Sequence, residues 1–462
     1  MIEDPAPANS IVEAHRALLY LMSPRRIHVP GPGYADSIAL WNGAVQRRPA
    51  IVVSCNLTED VVAAVRVARE FGLPLSVRGR GHDYAGRALV DGGMTLDLRP
   101  MFGVRVDLEA GTAEVGGGAS ANDLLAAAGE HGLVAATGTI GAVGVAGLTL
   151  GGGYGPLAGK VGLAADNLLA AEVVMADGSV VRTDAERDPD LLWALRGGGG
   201  NFGVVTSMTV RLHAVPAVVT GMVLFPWKQA AQVLERVREA QYDAPDELTI
   251  QTGAITAPDG SPALLVLPTW CGDVATGTDS AGPVMALGRL GDPLFLQLDA
   301  VPYAATVAGR DAMFPDGRHV VIRTRSVPEL TDDVIAIVDR FGGELPTPLS
   351  GLSLHHFHGA AARVAPADTA FVLRSPHLMT ETIGVWAAGE DGGNAHRWAE
   401  ATSEALAEQA LPGGYVNLLG PDAIDQIPHA YGENLPRLQW IKAAVDPDGV
   451  FSGTPLPLAT TT

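Results

Sequence analysis

From Gly138 to Gly162 the chain passes through Gly144-Val145-Ala146-Gly147 and Gly151-Gly152-Gly153-Tyr154-Gly155 with neither a helical nor a strand period. Glycine loses more backbone freedom on folding than any other residue, so this density demands a compensating contact. Two kinds would serve: an extended ligand lying on bare backbone, or a tight packing crossing. A loop this long inside a compact domain is usually functional. With 56 glycines and 32 prolines among 462 residues, the chain suits a loop-rich α+β fold rather than a helical bundle. Apolar residues make up 47%, enough to bury a core and exclude wholesale disorder.

The segments around the loop can be read locally. Pro49–Ser54 is a short apolar strand. Thr58 caps a helix whose apolar positions Val61, Val65, Ala68 and Phe71 recur at helical spacing until Gly72 stops it. Leu73–Val77 completes a β-α-β opening, and Met94–Leu98 is a further strand. Val104–Asp107 with Thr112–Val115 forms a hairpin, and Ser120 caps a helix running to His131. Ala171–Ala176 and Ser179–Thr183 form a hairpin about Asp177-Gly178. A helix starts at Asp188-Pro189, and Val204–Leu212 is a strand. After Pro216 the glycine clusters thin out and longer elements alternate to about residue 410, which marks a second domain. Turn chemistry returns at Pro412-Gly413-Gly414, before a strand over Tyr415–Leu419. The expected divisions are 1–37, 38–215, 216–410 and 411–462, in keeping with two or three domains at this length.

Several motifs carry chemistry. Arg78-Gly79-Arg80-Gly81-His82-Asp83-Tyr84-Ala85-Gly86 is a glycine turn that frees successive N–H groups toward an anion. Arg78 and Arg80 supply positive charge for a pyrophosphate there, and a neutral His82 is a nucleophile beside it. A surface turn that merely contains a histidine reads equally well from these residues alone. Gly116-Gly117-Gly118-Ala119-Ser120-Ala121 fits a dinucleotide fingerprint, but it sits in a hairpin and no acidic residue ends the next strand. Trp193-Ala194-Leu195-Arg196 before four glycines is a helix end entering a strand. Strand alternation puts Tyr415 and Asn417 on one face, suited either to a ligand or to a hydrogen-bonded core. His355, His356 and His358 offer two metal ligands at most on one strand face and no evident third, so pocket lining or surface is the better reading and no metal is expected.

The net charge of −20 comes without a basic stripe and excludes the usual nucleic-acid binders. No run reaches membrane-spanning length. Met1–Arg26 lacks the layout of a signal peptide, and Cys55 and Cys271 match neither a metal spacing nor a disulfide framework. A soluble cytoplasmic protein is expected, monomeric or homodimeric, without nucleic-acid or membrane partners.

Taken in order, these pieces resemble the berberine-bridge-enzyme-like branch of the FAD-linked oxidases, which share the vanillyl-alcohol-oxidase fold. The resemblance rests on Leu57–Ala63, Arg78–Gly86, Asp91-Gly92-Gly93 with Leu96-Asp97-Leu98, Val143–Gly155 and Gly162–Asn167. Trp193–Thr206, Tyr415–Asn417, Tyr431-Gly432-Glu433-Asn434 and Asp446-Pro447 near Val450-Phe451 extend it from about residue 38 onward. It implies a two-part PCMH-type FAD-binding domain and, inserted into it, a substrate domain with an antiparallel sheet covered by helices. The implied flavin contacts are Arg78, Gly79, Arg80, Gly81, His82 and Gly86, then Thr139, Ile140, Gly141, Val143, Gly144, Gly147 and Leu148. Gly151, Gly152, Gly153, Gly155, Asn167, Val205 and Asn417 complete the set.

Family members bond the flavin 8α-methyl group to the histidine matching His82. Many add a cysteine bond at the position that is Ile140 here, which implies a single histidyl link. Arg80 stands where the family usually has glycine. Tyr415 is implied as the active-site phenol, a base or a hydrogen-bond partner; as a base its pKa would have to fall from about 10. Tyr303, His356, His358 and Arg374 are further substrate candidates. The implied activity is oxidation of a small alcohol, amine or natural-product intermediate, with O₂ as acceptor and hydrogen peroxide as product. Oxygenation or oxidative cyclisation in secondary metabolism, and sequestration of a drug with little turnover, remain the alternatives.

Overall fold

The computed structural model describes residues 8–458. The reading of Met1–Arg26 therefore lies partly outside the described residues, as do positions 459–462. Among the described residues no helix is long and apolar enough to cross a membrane.

Three sheets organise the chain. The first runs Ile27–His28, Ile51–Ser54, Met94–Asp97, Leu75–Arg78. Its last three strands are parallel to one another and almost wholly buried, as parallel strands covered on both faces are. The β-α-β opening thus has a third strand, Met94–Asp97, laid between its two members. The connecting helix Thr58–Glu70 begins one residue earlier than expected, with Leu57 at its cap. Asp60 does the capping by accepting from the N–H groups of Asn56 (2.8 Å) and Leu57 (3.1 Å). Thr58 instead donates its hydroxyl to Glu172, 2.7 Å away.

The second sheet is antiparallel, in the order Val104–Asp107, Thr112–Gly116, Val204–Ala214, Leu168–Val174, Val180–Thr183, with Leu133–Ala135 pairing the end of the long strand. Helix Ala121–Gly129 packs beside it, started by a capping box between Ser120 and Asp123. The glycine stretch is not wholly irregular: it contains two short helices, Val145–Leu150 and Ala158–Val161. Glycine is required where backbones cross. A Cβ on Gly155 would lie 1.8 Å from the Thr137 carbonyl oxygen. A Cβ on Gly118 would lie equally close, 1.8 Å, to the Leu98 carbonyl, so this glycine of the fingerprint at 116–121 serves packing.

The third sheet has seven antiparallel strands: Phe295–Val301, Val218–Pro226, Pro262–Trp270, Leu248–Thr256, Gly351–Phe357, His377–Trp386 and His319–Val327. Helices Ala230–Tyr242, Asp332–Gly342 and Gly393–Ala407 cover one face, burying Val233, Leu234, Val237, Val334, Val338 and Trp398. The other face looks toward the glycine loops.

After this sheet the chain returns to the second one. Val416, Leu419, Tyr431, Leu438 and Ile441 share a core with Val115, Val173, Trp193 and Met208. Tyr415–Leu419 forms a 3₁₀ turn over Val416–Leu418 rather than a strand. On helix Leu435–Val445, the Arg437 guanidinium lies 4.1 Å from the Trp193 ring centroid. Lys442 Nζ is buried and donates to Asp446 (2.5 Å), the Asn201 carbonyl (2.7 Å) and the Phe451 carbonyl (2.6 Å). Removing one partner strands the other charge, so Asp446→Ala is expected to cost about 3–5 kcal/mol. Urea unfolding measures this, and an unchanged midpoint would make the clasp dispensable.

Candidate functional site

A cavity of about 1150 Å³ lies between the glycine loops and the open face of the seven-stranded sheet. On its floor are Gly79, Arg80, Gly81, His82, Thr139, Ile140, Val143, Gly144, Gly147, Leu148 and Val205. Tyr415, Asn417 and the segment 451–454 complete that side. The roof comes from sheet residues that include Gln251, Leu265, Leu267, Ser353, His355, Met379, Glu381 and Ile383.

The floor has the character of an anion and ring cradle. Among the described residues, the backbone N–H groups of Gly79, Arg80, Gly81 and His82 find no protein acceptor. A Cβ on Gly147 would meet nothing within 4 Å, so bare backbone faces open space there. Such a nest suits a dinucleotide diphosphate, and the uncovered backbone suits a flat ring. The arginines contribute less charge than expected. Arg78 is buried, and its guanidinium donates to the carbonyls of Ser37 (2.8 Å) and Ala39. Arg80 pairs with Asp123 at 2.5 Å, leaving its Nε buried without a partner.

His82 stacks on Trp41, with ring centroids 5.5 Å apart and planes inclined by 17°. Burial lowers its pKa, opposed by the Asp316 and Asp311 carboxylates and assisted by Arg80. The imidazole is therefore neutral near pH 7 and keeps a nucleophilic lone pair. Ile140 places an aliphatic side chain in the same wall.

Tyr415 is buried, and its hydroxyl oxygen accepts from the Gly153 N–H (3.1 Å) and Asn417 Nδ2 (2.9 Å). Residues 415 and 417 thus meet although no strand forms. Burial dominates these bonds and pushes the phenol up to about 12. Arg87 ties this turn to the histidine loop: it pairs with Asp83 and donates to the Asn417 carbonyl at 2.9 Å.

The roof carries a polar cluster of which the sequence reading named only His355, as pocket lining or surface. His355 Nε2 lies 3.3 Å from Glu381 Oε2 and 3.3 Å from Ser353 Oγ. Gln251 Nε2 donates to Ser353 Oγ at 2.8 Å. The register pairs Ser353 directly with Glu381 across neighbouring strands. The available signal was an acid at 381 between the apolar Met379 and Ile383, two residues away on either side and so on the same row of the strand.

The four substrate candidates do not line the main cavity. Arg374 is locked to Asp166 (2.7 and 2.9 Å) and lies 5.0 Å over the Phe371 ring. Tyr303 is buried against Ala121, Leu125 and Val134. His356 and His358 stack on each other at 4.0 Å, and His358 meets Thr249 at 3.3 Å. Eight expected flavin contacts, Arg78, Gly86, Gly141, Gly151, Gly152, Gly153, Gly155 and Asn167, stand behind the wall rather than in it. Asn167, for example, spends its amide on Val161, Leu163 and His213. Gly86 packs on Val45, and Gly141 packs on Asn122.

Buried histidines give the fold a pH signature. Burial lowers both His358 and His377 from 6.5 to about 4. Between those values the unfolded chain binds more protons than the folded one. Stability is therefore expected to be complete above about pH 6.5 and to fall as pH drops toward 4. Denaturant midpoints measured across this range test the expectation, and His358→Gln should flatten the profile.

Comparison with known proteins bears on this geometry. The profile of the FAD binding domain matches residues 49–184, and that described as berberine and berberine like matches residues 414–454. The FAD-linked oxidoreductase aurO of Gibberella zeae is 30% identical over 428 residues, which cover 91% of this chain and 83% of that protein. The (R)-6-hydroxynicotine oxidase of Paenarthrobacter nicotinovorans is 40% identical over 215 residues, 46% of each chain. The crystal structure of 6-hydroxy-D-nicotine oxidase from Arthrobacter nicotinovorans superposes with a TM-score of 0.83 at 27% identity, covering 93% of this chain and 96% of that one. The architecture is a two-part FAD-binding domain with an inserted antiparallel sheet covered by helices, and FAD is its cofactor. By fold and by sequence over most of its length, the chain belongs to the berberine-like FAD-linked oxidoreductases.

Proposed function

We propose that the protein is an oxidase of a small alcohol, amine or natural-product intermediate, with FAD held through one covalent bond to His82. One observation carries the reading: a neutral histidine, a phenol and a carboxylate–imidazole pair line the same cavity. Bound FAD supplies a two-electron acceptor that dioxygen returns to its oxidised form with release of hydrogen peroxide.

The chain's own groups divide the remaining work. Glu381 and His355 form the proton acceptor for the substrate O–H or N–H, since they are the acid and imidazole that meet on the roof. Ser353 and Gln251 fix the orientation of that imidazole. Tyr415 already accepts two hydrogen bonds and remains protonated near pH 7, with its pKa at about 12. Its role is therefore hydrogen-bond donor rather than base. The apolar side chains Leu265, Leu267, Met379 and Ile383 keep water from the reacting atoms. Ile140 offers no thiol, which supports a single covalent anchor.

Two measurements check the reading. Flavin should stay with the denatured wild-type chain and leave denatured His82→Ala; retention by the variant overturns the anchor. Glu381→Gln should lower kcat/KM by roughly 10²–10⁴-fold in a peroxide-coupled assay on a panel of alcohols and amines. Undiminished turnover would remove Glu381 from proton transfer.

A further inference from the structure

The His82 ring makes no hydrogen bond among the described residues; its defined neighbour is the Trp41 indole, nearly parallel at 5.5 Å. Trp41 is itself held from three sides. Its N–H donates to the Gly81 carbonyl at 3.2 Å, beside His82. Its carbonyl accepts from the Gly317 N–H at 2.9 Å, and its indole Nε1 donates to the Phe314 carbonyl at 2.9 Å.

The next residues continue this clasp. Asn42 Nδ2 donates to the Tyr84 carbonyl (2.7 Å) and the Val320 carbonyl (2.9 Å), while its Oδ1 accepts from the Val320 N–H (3.0 Å). Gly43 donates to the Arg318 carbonyl at 2.8 Å. It lies so close to Gly317 that a Cβ would sit 2.3 Å from that carbonyl oxygen. Residues 41–43 thus form a strap gripped by the histidine loop on one side and by the entry to strand His319–Val327 on the other.

We propose that Trp41 is a positioning residue for covalent flavin attachment, fixing the His82 ring plane through a strap that the seven-stranded sheet holds in place. The proposal rests on His82 as the anchor. In the attachment step an imidazole nitrogen bonds to the flavin 8α carbon, and one C–H and one N–H bond break. The two electrons and two protons pass to the flavin ring and leave with O₂ as hydrogen peroxide. The nitrogen lone pair lies in the ring plane, so a tilted imidazole misses the carbon. No hydrogen bond is present to correct the tilt, which leaves the task to stacking.

The test follows covalent incorporation after FAD is added to the full chain expressed with limiting flavin. The readouts are flavin retained through denaturation, intact mass, and total FAD bound before denaturation. Trp41→Ala is expected to slow attachment about ten- to a hundredfold at saturating FAD, counted per FAD bound before denaturation. Trp41→Phe keeps an aromatic face and should restore the rate. Asn42→Ala loosens the strap and should slow attachment with Trp41 present. Should Trp41→Ala fail to fold, Trp41→Leu decides, because it keeps apolar volume without a ring face. Wild-type attachment rates in the alanine or leucine variant overturn the proposal. Complete loss of flavin from denatured wild-type protein instead overturns the anchor, and the proposal with it.

Discussion

Backbone lying against backbone is the constraint on which the cavity depends. The loop after Gly138 must fit between the antiparallel sheet beneath it and the space above it. It does so only where side chains are missing on both sides. At Gly155 and Gly118 the missing atom leaves room for a neighbouring carbonyl, whereas at Gly147 it leaves room for nothing in the protein. A single residue type therefore performs two tasks within a few turns of chain. The first closes the floor, and the second keeps it flat for a ring.

That division explains how far the residues could be read in advance. Local chemistry was legible: Ser120 caps its helix, and Asp177-Gly178 turns its hairpin, because each signal lies within a few residues of its effect. The glycine density announced a site but could not separate lining from crossing, since that depends on which segment passes behind. The insertion of Met94–Asp97 between two strands of an apparent β-α-β unit was likewise invisible, as were the partners of Arg78 and Arg80. The capping of helix Thr58–Glu70 by Asp60 rather than Thr58 was lost for a subtler reason. Thr58 had a better partner, Glu172, on a strand of another sheet.

The polar groups of the cavity fall on the same divide. Tyr415 and Asn417 were paired by assuming a strand, and they meet through a tight turn instead, because the phenol oxygen accepts from the amide. Glu381 and His355 belong to different strands and meet only through a register that no local pattern fixes. The three-histidine stretch drew attention to His356 and His358, while the member that lines the cavity is His355. His356 and His358 are occupied with each other and with Thr249.

The cavity wall takes residues from Trp41 to Thr454, with the inserted sheet supplying the roof. No contiguous fragment contains it. During synthesis the histidine loop emerges early, whereas Phe451 and Thr454, which are held by Lys442, Asp446 and Asn201, are made among the last residues of the wall. A nascent chain therefore exposes the glycine loops without enclosing anything. Capture of the flavin is in this sense a late event in the life of the polypeptide, governed by the arrival of its distal segment.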